Sequence, residues 1–143
     1  YDPVKKVIGN IHSGWKGTLK RILSKAINIM IDRYGCNSKD IIVCISPSIH
    51  KCCFEVEDDV IKLFKEEFDD IDRYITIGEI VDGKQKYYLD TIGINLRELD
   101  LLGIDKDNIE VASECTKCNS NIFHSYRVEG IGTGQNLGFI MMR

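Results

Sequence analysis

The chain has 143 residues, 43% hydrophobic and 29% charged, which suits one globular domain with its own core and excludes a disordered chain. Its 19 basic and 22 acidic side chains leave a net charge of −3, without the basic excess by which proteins grip nucleic acid. No apolar run approaches the roughly 18 residues that a membrane span needs, no secretory leader is visible, and six cysteines among ample aliphatics point to a reducing, cytoplasmic compartment and to no disulfides.

In chain order, residues 4–11 read as a strand that Gly9 interrupts. Such an early entry into a strand, directly after Tyr1-Asp2-Pro3, reads as an N-terminally incomplete domain. A loop over residues 12–17 leads into the clearest helix, 18–34. Its apolar positions Leu19, Ile22, Leu23, Ala26, Ile27, Met30 and Tyr34 form one stripe, and Gly35 closes it. The apolar run 41–45 predicts a strand covered on both faces, with Cys44 as a buried reduced thiol. Residues 52–56 form a further short strand.

Asp58 or Asp59 caps the next helix, which runs to about Phe68 with Ile61, Phe64 and Phe68 inward. The nine acids between Glu55 and Asp72 read as a solvated face. Residues 74–80 read as a strand and Asp82-Gly83 as a turn. A helix capped by Asp90 carries Leu96, Leu99 and Leu102 and ends at Gly103. Residues 109–112 are a short strand, 115–121 a polar turn and 137–142 a last strand. Strands and helices interleave, so the class is α/β in one domain.

Three segments can carry chemistry. In His12-Ser13-Gly14-Trp15-Lys16-Gly17 two glycines permit a tight turn before a helix. His12 there can ligate a metal, while Lys16 and free helix N–H groups can hold an anion; a tight turn with a hydrogen-bonded His and a core Trp is the plainer alternative. Cys115-x-x-Cys118, with His124 beyond, has the spacing of zinc and of redox motifs. A second such pair is missing, however, and adjacent Cys52-Cys53 suits tetrahedral ligation poorly, so structural or incidental cysteines are favoured. Arg127, in Ser125-Tyr126-Arg127, can fork onto phosphate or pair with a surface acid.

Taken together and in this order, these segments resemble the laccase-domain family, also called the polyphenol oxidase YfiH family. Its HAGWRG is similar to residues 12–17, with Lys16 in place of Arg. Its GPSIGPCCYEV is similar to residues 46–56, with His50-Lys51 in place of Gly-Pro. Its CT followed by FFSYRR is similar to Cys115-Thr116 and Phe123-His124-Ser125-Tyr126-Arg127-Val128, and its late GR pair to Gly134-Gln135. The resemblance covers all 143 residues and the C-terminal part of a typical member.

The resemblance implies layered mixed sheets flanked by helices, and zinc held by two His and one Cys. His12 would be one of those ligands and the other two would lie upstream, so these residues alone are expected to be inactive. It implies phosphorolysis of purine nucleosides (adenosine, inosine, methylthioadenosine) with adenosine deamination, Lys16 and Arg127 serving phosphate. The partners would then be small molecules, neither nucleic acid nor membrane. Amidase editing of a peptidoglycan precursor, or a binding module that kept the fold without the chemistry, are the alternative readings.

Overall fold

The computed structural model describes residues 1–142. Five helices and two small sheets form one mixed α/β unit: α1 (Trp15–Leu19), α2 (Ile22–Tyr34), β1 (Val43–Ile45), β2 (Glu55–Val56), α3 (Asp58–Glu67), β3 (Ile75–Val81), β4 (Lys84–Leu89), α4 (Thr91–Leu101), β5 (Ile109–Val111) and α5 (Tyr126–Glu129). β1 pairs with β5 in parallel, Val43 against Ile109. The second sheet is antiparallel, in the order β2-β4-β3. β3 and β4 are joined at Asp82-Gly83, where both residues have positive φ, 50° and 74°, as the tight hairpin turn requires.

The single helix expected over residues 18–34 is two helices. The first begins at Trp15, and the chain breaks at Arg21, which adopts a left-handed conformation at φ 54° and ψ 45°. The cause lies in what its side chain reaches. The guanidinium donates to Glu67 Oε1 at 2.7 Å, to the Glu67 carbonyl at 2.9 Å and to Glu98 Oε1 at 2.9 Å, and it stacks 4.3 Å above the Phe68 ring. These contacts offset the roughly 1–2 kcal/mol that a left-handed non-glycine residue costs. Beyond the break the predicted stripe holds, with Ile27 and Met30 buried and Gly35 left-handed at the end.

Two apolar clusters form the core. Phe54, Ile61, Phe64, Phe68, Leu89 and Ile94 lie under the antiparallel sheet; Ile27, Met30, Cys36, Ile41, Leu99 and Ile104 lie under the parallel pair. α4 serves both, because Ile94 and Leu99 are five positions apart and so point about 140° away from each other. Its cap is as the sequence predicts, the Asp90 carboxylate accepting from the Gly93 N–H at 2.8 Å. α3 is capped instead by Glu57, whose side chain leaves the helix end and accepts from Lys86 Nζ at 2.7 Å. The acids of this region are indeed mostly exposed, several of them in ion pairs such as Lys62–Asp58 and Lys65–Asp72.

Other expectations fail for local reasons. Residues 4–11 are not a strand. The Asp2 carboxylate takes the N–H groups of Val4 and Lys5, curling the chain into a turn closed by the Asp2–Val7 bridge. Cys44 is exposed, because β1 is paired on one side only and turns this residue outward. Residues 137–142 form no strand: Leu137 and Phe139 are exposed, and the segment is tied by the Asn10 amide donating to the Gly138 carbonyl. β4 and α5 are elements the sequence reading misses.

Glu98 is the buried centre of the Arg21 network, accepting also from Ser24 Oγ at 2.6 Å and from Arg97 Nη1 at 2.8 Å. Replacing Glu98 by Ala should destabilise the protein by about 3 kcal/mol, since two guanidinium groups lose their shared carboxylate. Replacing the more exposed Glu67 should cost about 1 kcal/mol or less. Denaturant unfolding of both variants checks this; equal midpoints would contradict it.

Candidate functional site

The residues 12–17 loop folds over itself. A Cβ on Gly14 would lie 2.8 Å from His12 Nε2, and one on Gly17 would lie 3.2 Å from the His12 carbonyl oxygen. Gly14 therefore leaves room for the imidazole to lie back over the start of α1, and Gly17 leaves room for the His12 carbonyl and the Ile22 side chain. His12 is exposed, and among the described residues its ring makes no hydrogen bond. The loop is anchored from below. Ser13 Oγ lies 3.1 Å from Thr18 Oγ1 and donates to Asn95 Oδ1, whose amide in turn donates to the Thr91 carbonyl. Thr18 and Asn95 are buried. Sequence reasoning misses Asn95 as a positioning residue, although an Asn in the apolar stripe of Leu99 and Leu102 is a visible signal.

Lys16 lies inside the short α1, its Nζ 5.4 Å above the Trp15 ring. With five residues, α1 has little macrodipole to offer an anion, so the attraction expected at the head of a long helix reduces to the lysine charge. Arg127, on α5, lies 5.4 Å above the Phe54 ring. No ion pair engages it among the described residues, so its fork is open. A concavity of about 270 Å³ is lined by Trp15, Phe54, Val60, Lys86 and Arg127 together with Glu55, Glu57 and Asp59. The structure thus brings Arg127 and Trp15 into one concavity, whereas His12 and Lys16 are outside its lining. The charge of Glu57 there is offset: hydrogen bonds from Lys86 and Lys84 hold its carboxyl below the usual range.

α5 is held from behind. The Glu129 carboxylate accepts the Ser125 N–H at 2.9 Å and lies 3.2 Å from His124 Nδ1. The Ser125 hydrogen bond, outweighing burial, lowers the Glu129 pKa. Asn136 exchanges hydrogen bonds with the His124 backbone, so the segment after α5 folds back on the loop before it.

The cysteines are the largest surprise against the sequence reading. All six are free thiols. Cys52, Cys53, Cys115 and Cys118 have sulfurs within 4.8 Å of one another, close enough to hold a metal ion. Two features of the fold cause this. Residues 51–53 turn rather than extend, with the N–H groups of Cys53 and Phe54 both donating to the His50 carbonyl. Neighbouring side chains that would point to opposite faces of a strand then converge. The β1–β5 pairing also continues past the strands through the Ser48–Cys115 bridge, setting the two cysteine-bearing loops side by side. Burial pushes the Cys115 thiol up, but the N–H groups of His50, Cys118 and Lys117 directed at its sulfur outweigh that and bring it down to about 6. Burial pushes Cys53 up to about 12.

This combination of fold and motifs has clear relatives. The family described as multi-copper polyphenol oxidoreductase laccase matches residues 1–143, and the chain belongs to it. It is 34% identical over 146 residues to "Purine nucleoside phosphorylase LACC1" of Mus musculus, covering 99% of this chain and 32% of that protein. It is 32% identical over 143 residues to "Purine nucleoside phosphorylase YlmD" of Bacillus subtilis (strain 168), covering 100% of this chain and 50% of that protein. The crystal structure of Bacillus licheniformis hypothetical protein YfiH superposes with a TM-score of 0.78 at 35% identity, over 89% of this chain and 46% of that one. The chain therefore spans half or less of the length of these relatives. Among the described residues no helix is long and apolar enough to cross a membrane.

The Gly14 contact gives a direct check on the loop. Gly14→Ala should swing the exposed His12 ring away with little loss of stability, because only the free end of a side chain has to move. Imidazole resonances assigned to His12 should shift; an unchanged ring spectrum would show that the close approach is not present in solution.

Proposed function

We propose that these 143 residues are the C-terminal part of one laccase-type domain, in a zinc-dependent purine nucleoside phosphorylase that also deaminates adenosine. The substrates are adenosine, inosine and methylthioadenosine, with inorganic phosphate as co-substrate, in a cytoplasmic setting. The observation that carries this reading is the self-folded His12 loop, anchored through Ser13, Thr18 and Asn95, with Arg127 facing Trp15 across one concavity. The names of the curated relatives support the same chemistry.

His12 suits a zinc ligand: it is exposed, its ring has no hydrogen-bond partner among the described residues, and Gly14 leaves the space its ring occupies. One imidazole is not a catalytic centre, which takes three protein ligands and an open position. Family resemblance implies that a Cys and a His from outside these residues complete it. A zinc ion held there would supply Lewis acidity.

The chain's own residues manage the phosphate. In phosphorolysis a phosphate oxygen bonds to the sugar carbon as the glycosidic C–N bond breaks and the base leaves with a proton. Lys16 contributes a mobile positive charge at the loop. Arg127 contributes a planar fork, held over Phe54 with no ion pair among the described residues, which would orient the attacking oxygen although Glu55, Glu57 and Asp59 line the same concavity.

Arg127→Ala in the full-length enzyme should lower kcat/KM for phosphate by about ten- to a hundredfold, the loss of one charge-assisted contact worth roughly 1.5–3 kcal/mol. Steady-state phosphorolysis of adenosine at varied phosphate measures it. An unchanged kcat/KM for phosphate would remove Arg127 from the site.

A further inference from the structure

We propose that Cys52, Cys53, Cys115 and Cys118 form a closed tetrathiolate site for a structural Zn²⁺ ion, built from residues other than the His12 loop and independent of the phosphorylase reading.

Four sulfurs at about 2.3 Å from a central zinc stand about 3.8 Å apart, the edge of a tetrahedron with arms of that length. Here Cys52 and Cys53 sulfurs are 3.7 Å apart, Cys52 and Cys118 3.7 Å, and Cys53 and Cys118 3.4 Å. All four lie within 4.8 Å of one another. Paired disulfides would need sulfurs about 2.05 Å apart; the three distances among Cys52, Cys53 and Cys118 instead match tetrahedron edges, and Cys115 lies within reach of the same centre.

Cys115 is buried, and the backbone N–H of His50 points at its sulfur from 3.5 Å. A backbone donor of this kind is suited to a metal-bound thiolate, whose charge such an outer contact stabilises. Four thiolates around one divalent ion carry an excess of two negative charges, so donors of this kind are needed.

Soft thiolates in a tetrahedral set of four select zinc or iron. The Cys52–Cys53 pair, adjacent in sequence, imposes an uneven bite. Zn²⁺ has no geometric preference from its d electrons and accepts that distortion. As the ion binds, each thiol releases its proton to solvent and no electron is transferred. A set of four protein ligands leaves no open position, which makes the role structural. The ion would clamp the loop before Phe54, on which Arg127 stacks, to the loop that follows β5.

Metal analysis and zinc-edge X-ray absorption on full-length protein, prepared under reducing conditions, test this. In the His12→Ala background, which removes the other proposed zinc ligand, we expect one zinc per chain with an all-sulfur shell of four atoms at about 2.3 Å. Adding Cys118→Ser should remove that zinc, while adding Cys44→Ser should retain it. A zinc-free His12→Ala protein, a shell containing nitrogen or oxygen, an unchanged zinc content after Cys118→Ser, or a Cys53–Cys118 disulfide would each overturn the proposal. If His12 is no ligand, wild type and His12→Ala simply hold the same zinc, and the all-sulfur shell still decides the question.

Discussion

The fold turns on Arg21. Its left-handed backbone breaks what periodicity alone would make one continuous helix, and its guanidinium ties the break to the end of α3 and the middle of α4. Phe68 lies under that guanidinium and Glu98 beside it, so one cation joins three helices and touches the edge of the core. α1 ends just before this break, and its Trp15 packs against the core cluster that holds Phe54, so the ion pairs of Arg21 also bear on one wall of the concavity.

A second organising feature is the two-stranded parallel pair. Loops leaving the carboxyl ends of parallel strands are where α/β proteins place their ligands. Here those ends carry residues 46–53 and 112–118, and a further bridge between Ser48 and Cys115, one residue out of the strand register, holds them side by side. One of these loops continues into Phe54 and so into the support of Arg127. The other continues into the turn that Glu129 and Asn136 hold in place.

Most of the fold is legible in the sequence wherever a single face decides burial. Ile61, Phe64 and Phe68 announce α3, Asp90 with Leu99 announces α4, and Asp82-Gly83 announces the hairpin. Legibility ends where a side chain competes with backbone periodicity. Nothing in the stripe from Leu19 to Tyr34 reveals that Arg21 will leave it, because the carboxylates it meets are 46 and 77 residues further along the chain. The cysteine cluster is hidden for a related reason. Adjacency of Cys52 and Cys53 counts against shared ligation only if the chain there is extended, and the turn that defeats this is a tertiary consequence. At the candidate site the loop is visible from its glycines, but Asn95 beneath it shows only as one polar residue on an apolar stripe.

Cys52 and Cys118 are 66 residues apart along the chain, whereas the hairpin and the caps of α3 and α4 are made from near neighbours. Closing a long loop costs entropy that short-range contacts do not. The hairpin and the caps of α3 and α4 therefore close at a lower entropic cost than the pairing of the parallel strands. The four sulfurs meet only across that longer closure, so a bond shared among them would offset the entropy it costs.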